Sequence, residues 1–331
     1  MNSSGKVLIL GASGGIGGEV ARRLVADNWQ VRALKRGAQI RDPEDGIQWI
    51  AGDALDGGQV AAAAAGCDVI VHAVNPPGYR HWRQQVLPML RNTLQAAERQ
   101  RALVVLPGTV YNYGPDAFPL IAEEAAQQPV TRKGAIRVAM ELALKDYVQR
   151  GGRALIVRAG DFFGPRAGNN WFSQGLVKPG QLPRIISYPG AIGVGHQWAW
   201  LPDVADTIAA LLARRHELEP FARFHMQGHW DSDGSEMSQA IQRVVARYGG
   251  RAVVKSFPWW LVKLAAPFNA TLREMVEMHY LWRLPVRLRN DKLVDFLGAE
   301  PHTPLDSAVY QTLQGLGCLP AGAINQEAGE A

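Results

Sequence analysis

Cysteine is almost absent: Cys67 and Cys318 are the 2 thiols in 331 residues, far apart and without metal-ligand spacing. A disulfide framework and a zinc site are therefore not expected, and no residue is assigned as a metal ligand. No apolar run reaches the roughly 18–20 residues that a membrane span needs. The opening MNSSGKVLIL enters its first strand too soon for a signal peptide, so a cytoplasmic location is the default expectation. A concentrated basic stripe is also missing. Net charge is +5, but the 35 Lys and Arg are scattered along the chain, which disfavours nucleic-acid binding and leaves a preference for small anions as the milder reading. Internal repeats and low-complexity tracts do not occur, although the terminal INQEAGEA reads as a frayed tail. What remains is the composition of a globular protein, 47% hydrophobic and 20% charged. The length suits one large α/β domain or a nucleotide domain with a smaller lobe.

The chain is organised around Val7 to Gly18, VLILGASGGIGG, an apolar run that meets glycines at positions 11, 14 and 17. This reads as strand, tight turn and helix start. Gly11 permits the turn, Gly14 admits close approach of a pyrophosphate, and Gly17 lets the helix pack on the strand, so that phosphates sit at a helix N-terminus. A dinucleotide is the expected ligand, held by Gly11, Ser13, Gly14, Gly15, Ile16 and Gly17. The following helix is predicted over Glu19–Asp27, on the pattern of Val20, Leu24 and Val25. A second strand, Gln30–Leu34, ends in Lys35 and Arg36 rather than in the carboxylate that usually binds an NAD ribose. Two cations there favour the 2′-phosphate of NADP, with NAD as the alternative; a solvated Lys-Arg pair would look the same. A third strand, Ile47–Ile50, leads to Asp53, which either accepts a hydrogen bond from the adenine amino group or caps a turn. The alanine run Ala61–Ala65 continues a helix that stops at Gly66. Asp68–Ala73 then reads as a buried parallel strand whose exit, Val74 to Gly78, faces the cofactor and contributes Ala73 and Asn75. His72 lies inside that strand and is expected to be packed. A long helix (Trp82–Arg99), a strand (Ala102–Leu106) and the segment PGTVYNYGP follow.

The glycine motif, Thr109 with Tyr113-Gly114, RALIVRAGDFFGP (Arg153–Pro165), WAWLPDVADTIAALL (Trp198–Leu212) and LVDFLGAEPHTP (Leu293–Pro304) together resemble the extended short-chain dehydrogenase/reductase family, in its NAD-dependent epimerase/dehydratase group. The resemblance covers most of the chain. It implies an α/β fold: a Rossmann-type doubly wound parallel sheet of seven strands with a smaller C-terminal substrate-capping lobe. On this basis residues 1–165 form the nucleotide-binding domain, with 196–215 returning to it, while 166–195 and 216–320 form the lobe and 321–331 the tail.

The family's chemistry uses a Ser or Thr that binds the substrate oxygen, a Tyr acid/base, and a Lys four residues later that lowers the Tyr pKa and holds the nicotinamide ribose. Aligning Tyr113-Gly114 places Thr109 at the first position; aligning Glu141 places Lys133 at the Tyr position and Arg137 at the Lys position. The family's usual acid/base is therefore replaced. A lysine needs desolvation or cationic neighbours to approach neutral pKa, and Arg132 and Arg137 are candidates for the second. Alternatively, residues 131–133 form a polar helix start and Arg137 keeps only a ribose or pyrophosphate contact. Tyr111 and Tyr113 are further sources of a phenol, or packing aromatics. Arg158 and Asp161 read more simply as a buried arginine pairing with a carboxylate, and His196 either contacts substrate or packs.

The C-terminal third carries Gly/Pro-rich connections and aromatics such as Trp171, Phe172 and Tyr188, as expected of a lobe that sets specificity. A helix from Pro202 to about Arg215 returns to the nucleotide domain. Ser256–Phe268 reads foremost as an aromatic core helix of the lobe, with a greasy pocket, an oligomer contact or a membrane surface as alternatives. The aromatic lobe tilts the expected substrate toward a small carbonyl or hydroxyl compound. Two functions remain open: an NADP-dependent oxidoreductase or epimerase/dehydratase-like enzyme, or a catalytically inactive cofactor-binding sensor or scaffold. A homodimer is an expectation carried by the family alone.

Overall fold

The computed structural model describes residues 4–37, 45–76, 82–166 and 170–320. Its main sheet has seven parallel strands: β1 (Lys6–Leu10), β2 (Gln30–Lys35), β3 (Ile47–Ala51), β4 (Val69–His72), β5 (Leu103–Gly108), β6 (Arg153–Arg158) and β7 (Phe221–His225). Their spatial order is β3-β2-β1-β4-β5-β6-β7, so the winding reverses beside β1, where a crevice opens beyond the carboxyl ends of the strands.

The apolar runs form strands because both faces of the sheet are covered. Val7 and Ile9 point into one hydrophobic cluster, Leu8 and Leu10 into the other. On the first face lie α1 (Gly15–Ala26), α5 (Leu201–Ala213) and α9 (Asp291–Leu297), through Val20, Leu24, Ile208, Leu212 and Leu293. On the second lie α2 (Gly57–Ala63), α3 (Trp82–Gln100) and α4 (Arg132–Gln149), through Val60, Leu90, Met140 and Leu144. Helix starts are set by local chemistry. The Asp56 carboxylate accepts from the Gly58 and Gln59 amides at 2.9 and 3.0 Å, and the Thr131 hydroxyl accepts from the Gly134 amide at 3.0 Å. The helix predicted from Glu19 already begins at Gly15, because the glycine turn is itself the first helical turn.

A smaller lobe is built on a third apolar cluster that includes Phe163, Phe172, Trp198, Ile241 and Trp282. It contains a three-stranded sheet of 161–163, 196–200 and 229–231, and the helices α6 (Glu236–Ala246) and α10 (Leu305–Gly315). Two readings of this region are corrected. Residues 221–225, assigned to the lobe with 216–320, are the edge strand of the main sheet, and the Leu293 side chain on α9 also packs on that domain. The segment 256–268 is not a buried core helix. It forms α7 (Trp259–Ala265) and a 3-10 turn, and Trp260, Leu264 and Phe268 are 68%, 68% and 91% exposed; its inner edge packs, with Val262 and Ala266 buried and Trp259 against Trp171, Phe257 and His279. Pro77, Gly78 and the tail 321–331 lie outside the described residues. Among the described residues no helix is long and apolar enough to cross a membrane.

Candidate active site

A cleft of about 860 Å³ runs along the carboxyl ends of β1, β2, β4 and β5 and under the lobe. Its floor is the glycine turn. Gly11 has φ +94°, and a Cβ there would lie 2.5 Å from the Ala73 carbonyl oxygen; a side chain is thus excluded by strain and by contact. Gly17 does not line the cleft. A Cβ on it would collide with the Gly11 carbonyl, so it seats α1 on the turn, as its place in the motif implies. Ser13, Gly14, Gly15 and Ile16 line the cleft at the start of α1, where the first amides of a helix have no acceptor within it.

Lys35 and Arg36 line the same cleft where β2 ends, both exposed, with the Lys35 ammonium 5.4 Å from the centroid of the Trp49 ring. Asp53 stands nearby, but one carboxylate oxygen accepts from the Leu55 amide at 3.0 Å. That makes it a turn-former whatever else it binds. Ala73 and Asn75 flank the exit of β4. His72 is packed as expected: its Nδ1 meets the Thr93 hydroxyl at 2.8 Å, and burial, assisted by Arg137, pushes its pKa down to about 3.

The far end of the cleft gathers Thr109, Tyr111, Lys133 and Arg137 from the main domain with Asp161, Glu274, Met275 and Met278 from the lobe. Thr109 begins a 3-10 turn (Val110–Asn112), and its oxygen accepts from the Tyr111 amide at 3.3 Å, which leaves the hydroxyl proton to point elsewhere. Lys133 is 4% exposed. Its ammonium donates to the Glu274 backbone carbonyl at 3.2 Å and pairs with the Glu274 carboxylate at 3.2 Å. Burial lowers its pKa, and Glu274 opposes that shift. The sequence-based cause is thus corrected: desolvation comes first and Arg132 last. Arg132 points outward, with its side chain 76% exposed, and pairs with Glu274 and Glu277. Arg137 lies over the Trp82 ring, 5.3 Å from its centroid.

Glu274 sits on α8 (Ala270–Glu277), 141 residues beyond Lys133, and sequence reasoning missed it. No local signal marks it. A carboxylate on an exposed-looking helix has no motif to distinguish it before folding.

Tyr113 is removed from the candidates. It is fully buried below the cleft, its ring 5.4 Å from the Arg158 guanidinium, and burial pushes its pKa up to about 12. The buried arginine does pair with a carboxylate, but with Glu141 rather than Asp161. Asp161 instead meets His196 Nε2 at 2.9 Å, and His196 stacks on Trp282 with ring centroids 3.8 Å apart. His196 therefore supports Asp161 from behind and does not itself line the cleft.

A family model for the NAD dependent epimerase/dehydratase family matches residues 7–223. The chain belongs to this family. Among relatives, the epimerase/dehydratase-family chain is 28% identical over 206 residues to the uncharacterized protein y4nL of Sinorhizobium fredii (strain NBRC 101917 / NGR234), a match that covers 55% of this chain and 57% of that one. Its fold is shared with a UDP-galactose 4-epimerase (19% identity, 94% of this chain and 98% of the other, TM-score 0.71). It is shared equally with MoeE5 in complex with UDP-glucose and NAD (19%, 94% and 98%, TM-score 0.68), and with the dTDP-glucose 4,6-dehydratase DesIV of Streptomyces venezuelae with NAD bound (17%, 94% and 96%, TM-score 0.67). The expected fold, a seven-stranded Rossmann-type sheet with a smaller lobe, and membership of a family of NAD-binding enzymes stand on these observations.

Two buried histidines make the stability of this family member depend on pH. His225, like His72, has its pKa pushed down to about 3, by burial first and then by Arg158. In the unfolded chain both sit near 6.5. Below that value the unfolded state binds protons that the folded state refuses, so stability is full above pH 6.5 and falls as pH drops toward 3. The expected slope approaches about 1.4 kcal/mol per pH unit for each histidine. Denaturant titrations at pH 7 and pH 5 check this, and His72→Gln should remove one histidine's share; equal stability at both pH values would mean that the folded protein protonates these rings.

Proposed function

We propose that this protein transfers hydride between NADP and a small carbonyl or hydroxyl substrate. The observation that carries the reading is convergence in one cleft of the glycine turn, a cationic β2 exit and a polar group set under an apolar lid. The glycine turn fits a pyrophosphate, since Gly14 and Gly15 line the cleft without side chains at the start of α1, where helix amides face an anion. Gly14, Gly15 and Ile16 would hold the pyrophosphate, Lys35 and Arg36 the 2′-phosphate, and Arg137 the ribose side of the nicotinamide. When bound, the cofactor supplies or accepts hydride at the nicotinamide ring. The protein's own residues then do the rest. Thr109 donates its hydroxyl proton to the substrate oxygen and fixes its position. Lys133 exchanges a proton with that oxygen, its amine made available by burial and its position held by Glu274. Tyr111, in the same wall, is the remaining phenol. Leu272 and Met275 of α8, with Met278 just after it, cover the reacting end with apolar surface, which suits a substrate of low polarity.

Cofactor binding tests this first. Energy transfer from the ten tryptophans to the nicotinamide of NADPH or NADH reports affinity directly. NADPH is expected to bind more tightly, and Lys35→Ala with Arg36→Ala should weaken NADPH by roughly 10–100-fold while leaving NADH unchanged, because two charge-assisted contacts are lost. Equal affinities in the parent and the double variant would assign the cofactor to NAD. If neither nucleotide binds, the hydride-transfer reading falls altogether.

A further inference from the structure

Away from the cleft, three side chains distant in sequence come together where the lobe meets α5. Asp203 lies in the first turn of α5, His229 opens the strand 229–231, and His302 precedes Thr303 near the start of α10. Each offers one ligand atom, and these atoms all lie within 4.8 Å of one another. The two imidazoles lie with ring centroids 4.6 Å apart, tilted 47° to one another. We propose that Asp203, His229 and His302 form a binding site for a divalent transition ion, zinc in the first instance, that clamps the first turn of α5 to the C-terminal segment.

Four features carry this. His229 is 7% exposed, and its Nε2 is buried with no hydrogen-bond partner. An orphaned ring nitrogen in a folded interior is costly unless something binds there. Second, the donors are two imidazoles and a carboxylate, the set that suits zinc and its neighbours rather than magnesium or calcium, and it leaves a fourth position for water. Third, the surroundings hold the ligands. Thr303 donates to both oxygens of Asp203, through its hydroxyl at 2.7 Å and its amide at 2.9 Å. Glu300 accepts from the amides of Gln227 and Gly228 at 2.8 and 2.7 Å, which ties down the chain just before His229. Fourth, His302 is exposed, which provides an entry path and a mobile ligand. Tetrahedral zinc with bonds of about 2.0–2.1 Å needs ligand atoms roughly 3.3 Å apart. Rotation of the exposed His302 ring can close the remaining gap.

The site does not line the cleft and does not depend on the proposed reaction. Only Pro202 separates Asp203 from Leu201, which does line it, so an ion here would tie the C-terminal segment and the strand 229–231 to the helix start that borders the cleft. The test uses the full chain after chelator treatment, titrated with zinc ion alone by calorimetry and by thermal unfolding. One zinc per chain is expected, with a rise in Tm on binding. His302→Gln, a surface change that leaves the fold intact, should weaken zinc binding at least about tenfold and abolish the Tm rise. His229→Gln should do the same, and cobalt bound in place of zinc should lose its tetrahedral absorption in both variants. No saturable zinc binding, or zinc binding unchanged in His302→Gln, would overturn the proposal.

Discussion

Replacing Glu141 with alanine is expected to destabilise the protein by about 3–5 kcal/mol, the cost of leaving a buried charge without its partner. Glu141 holds a largely buried network, with only Gln127 at its partly exposed edge. Its Oε1 accepts from Arg158 Nε at 3.0 Å and Asn112 Nδ2 at 2.9 Å, and its Oε2 accepts from Gln127 Nε2 at 2.7 Å and from a second Arg158 nitrogen. Arg158 is wholly buried and donates its remaining amino group to His225 Nε2 at 2.9 Å. Since arginine can only donate, Nε2 must accept, which places the His225 proton on Nδ1, facing the Ile121 carbonyl at 3.3 Å. The burial that keeps His225 neutral therefore serves the arginine as well. Removing the carboxylate strands a guanidinium between a neutral ring and the Tyr113 face. Denaturant unfolding of Glu141→Ala and Glu141→Gln measures this; the amide keeps one acceptor and should lose less. A loss below about 1 kcal/mol for the alanine variant would mean that water reaches Arg158.

The second large effect concerns Lys133. Lys133→Met should lower turnover of an identified carbonyl substrate by roughly 10²–10⁴, the usual contribution of a positioned acid/base. NADPH affinity should stay within about twofold, since the ammonium is bound to Glu274 rather than placed on the glycine turn. Glu274→Gln separates chemistry from mere architecture. Glu274 raises the Lys133 pKa against the effect of burial, so its loss should move the limb set by Lys133 to lower pH; for carbonyl reduction, where the ammonium donates the proton, that is the basic limb of the pH–rate profile. A purely structural latch between α4 and α8 would change stability and leave that limb in place. If Lys133→Met turns over substrate normally, the role passes to Tyr111.

Much of the fold was legible because its signals are local. An apolar run, a glycine turn and a helix start occupy consecutive residues, so the cleft floor from Gly11 to Gly17 could be placed without knowing what packs around it. The Lys35-Arg36 pair was readable for the same reason, as the end of a strand whose position in the winding is set by the turn before it. The wall proposed to carry the chemistry was only half legible. Thr109 and Lys133 follow from motif alignment, whereas Tyr113 could not be told from Tyr111, because two residues apart around a 3-10 turn one faces the cleft and the other the core.

Sequence alone thus determined the Rossmann-type sheet and the glycine turn between β1 and α1, since each depends on neighbours in the chain. Tertiary structure decided that Phe221–His225 completes the main sheet and that α7 turns Trp260 and Phe268 outward. It also decided that Lys133 answers to Glu274 and that Asp203, His229 and His302 meet. Those facts depend on groups brought together across tens to more than a hundred residues. Burial and Coulomb energy depend on distance in space, and the chain order of residues carries no measure of it until the fold has formed.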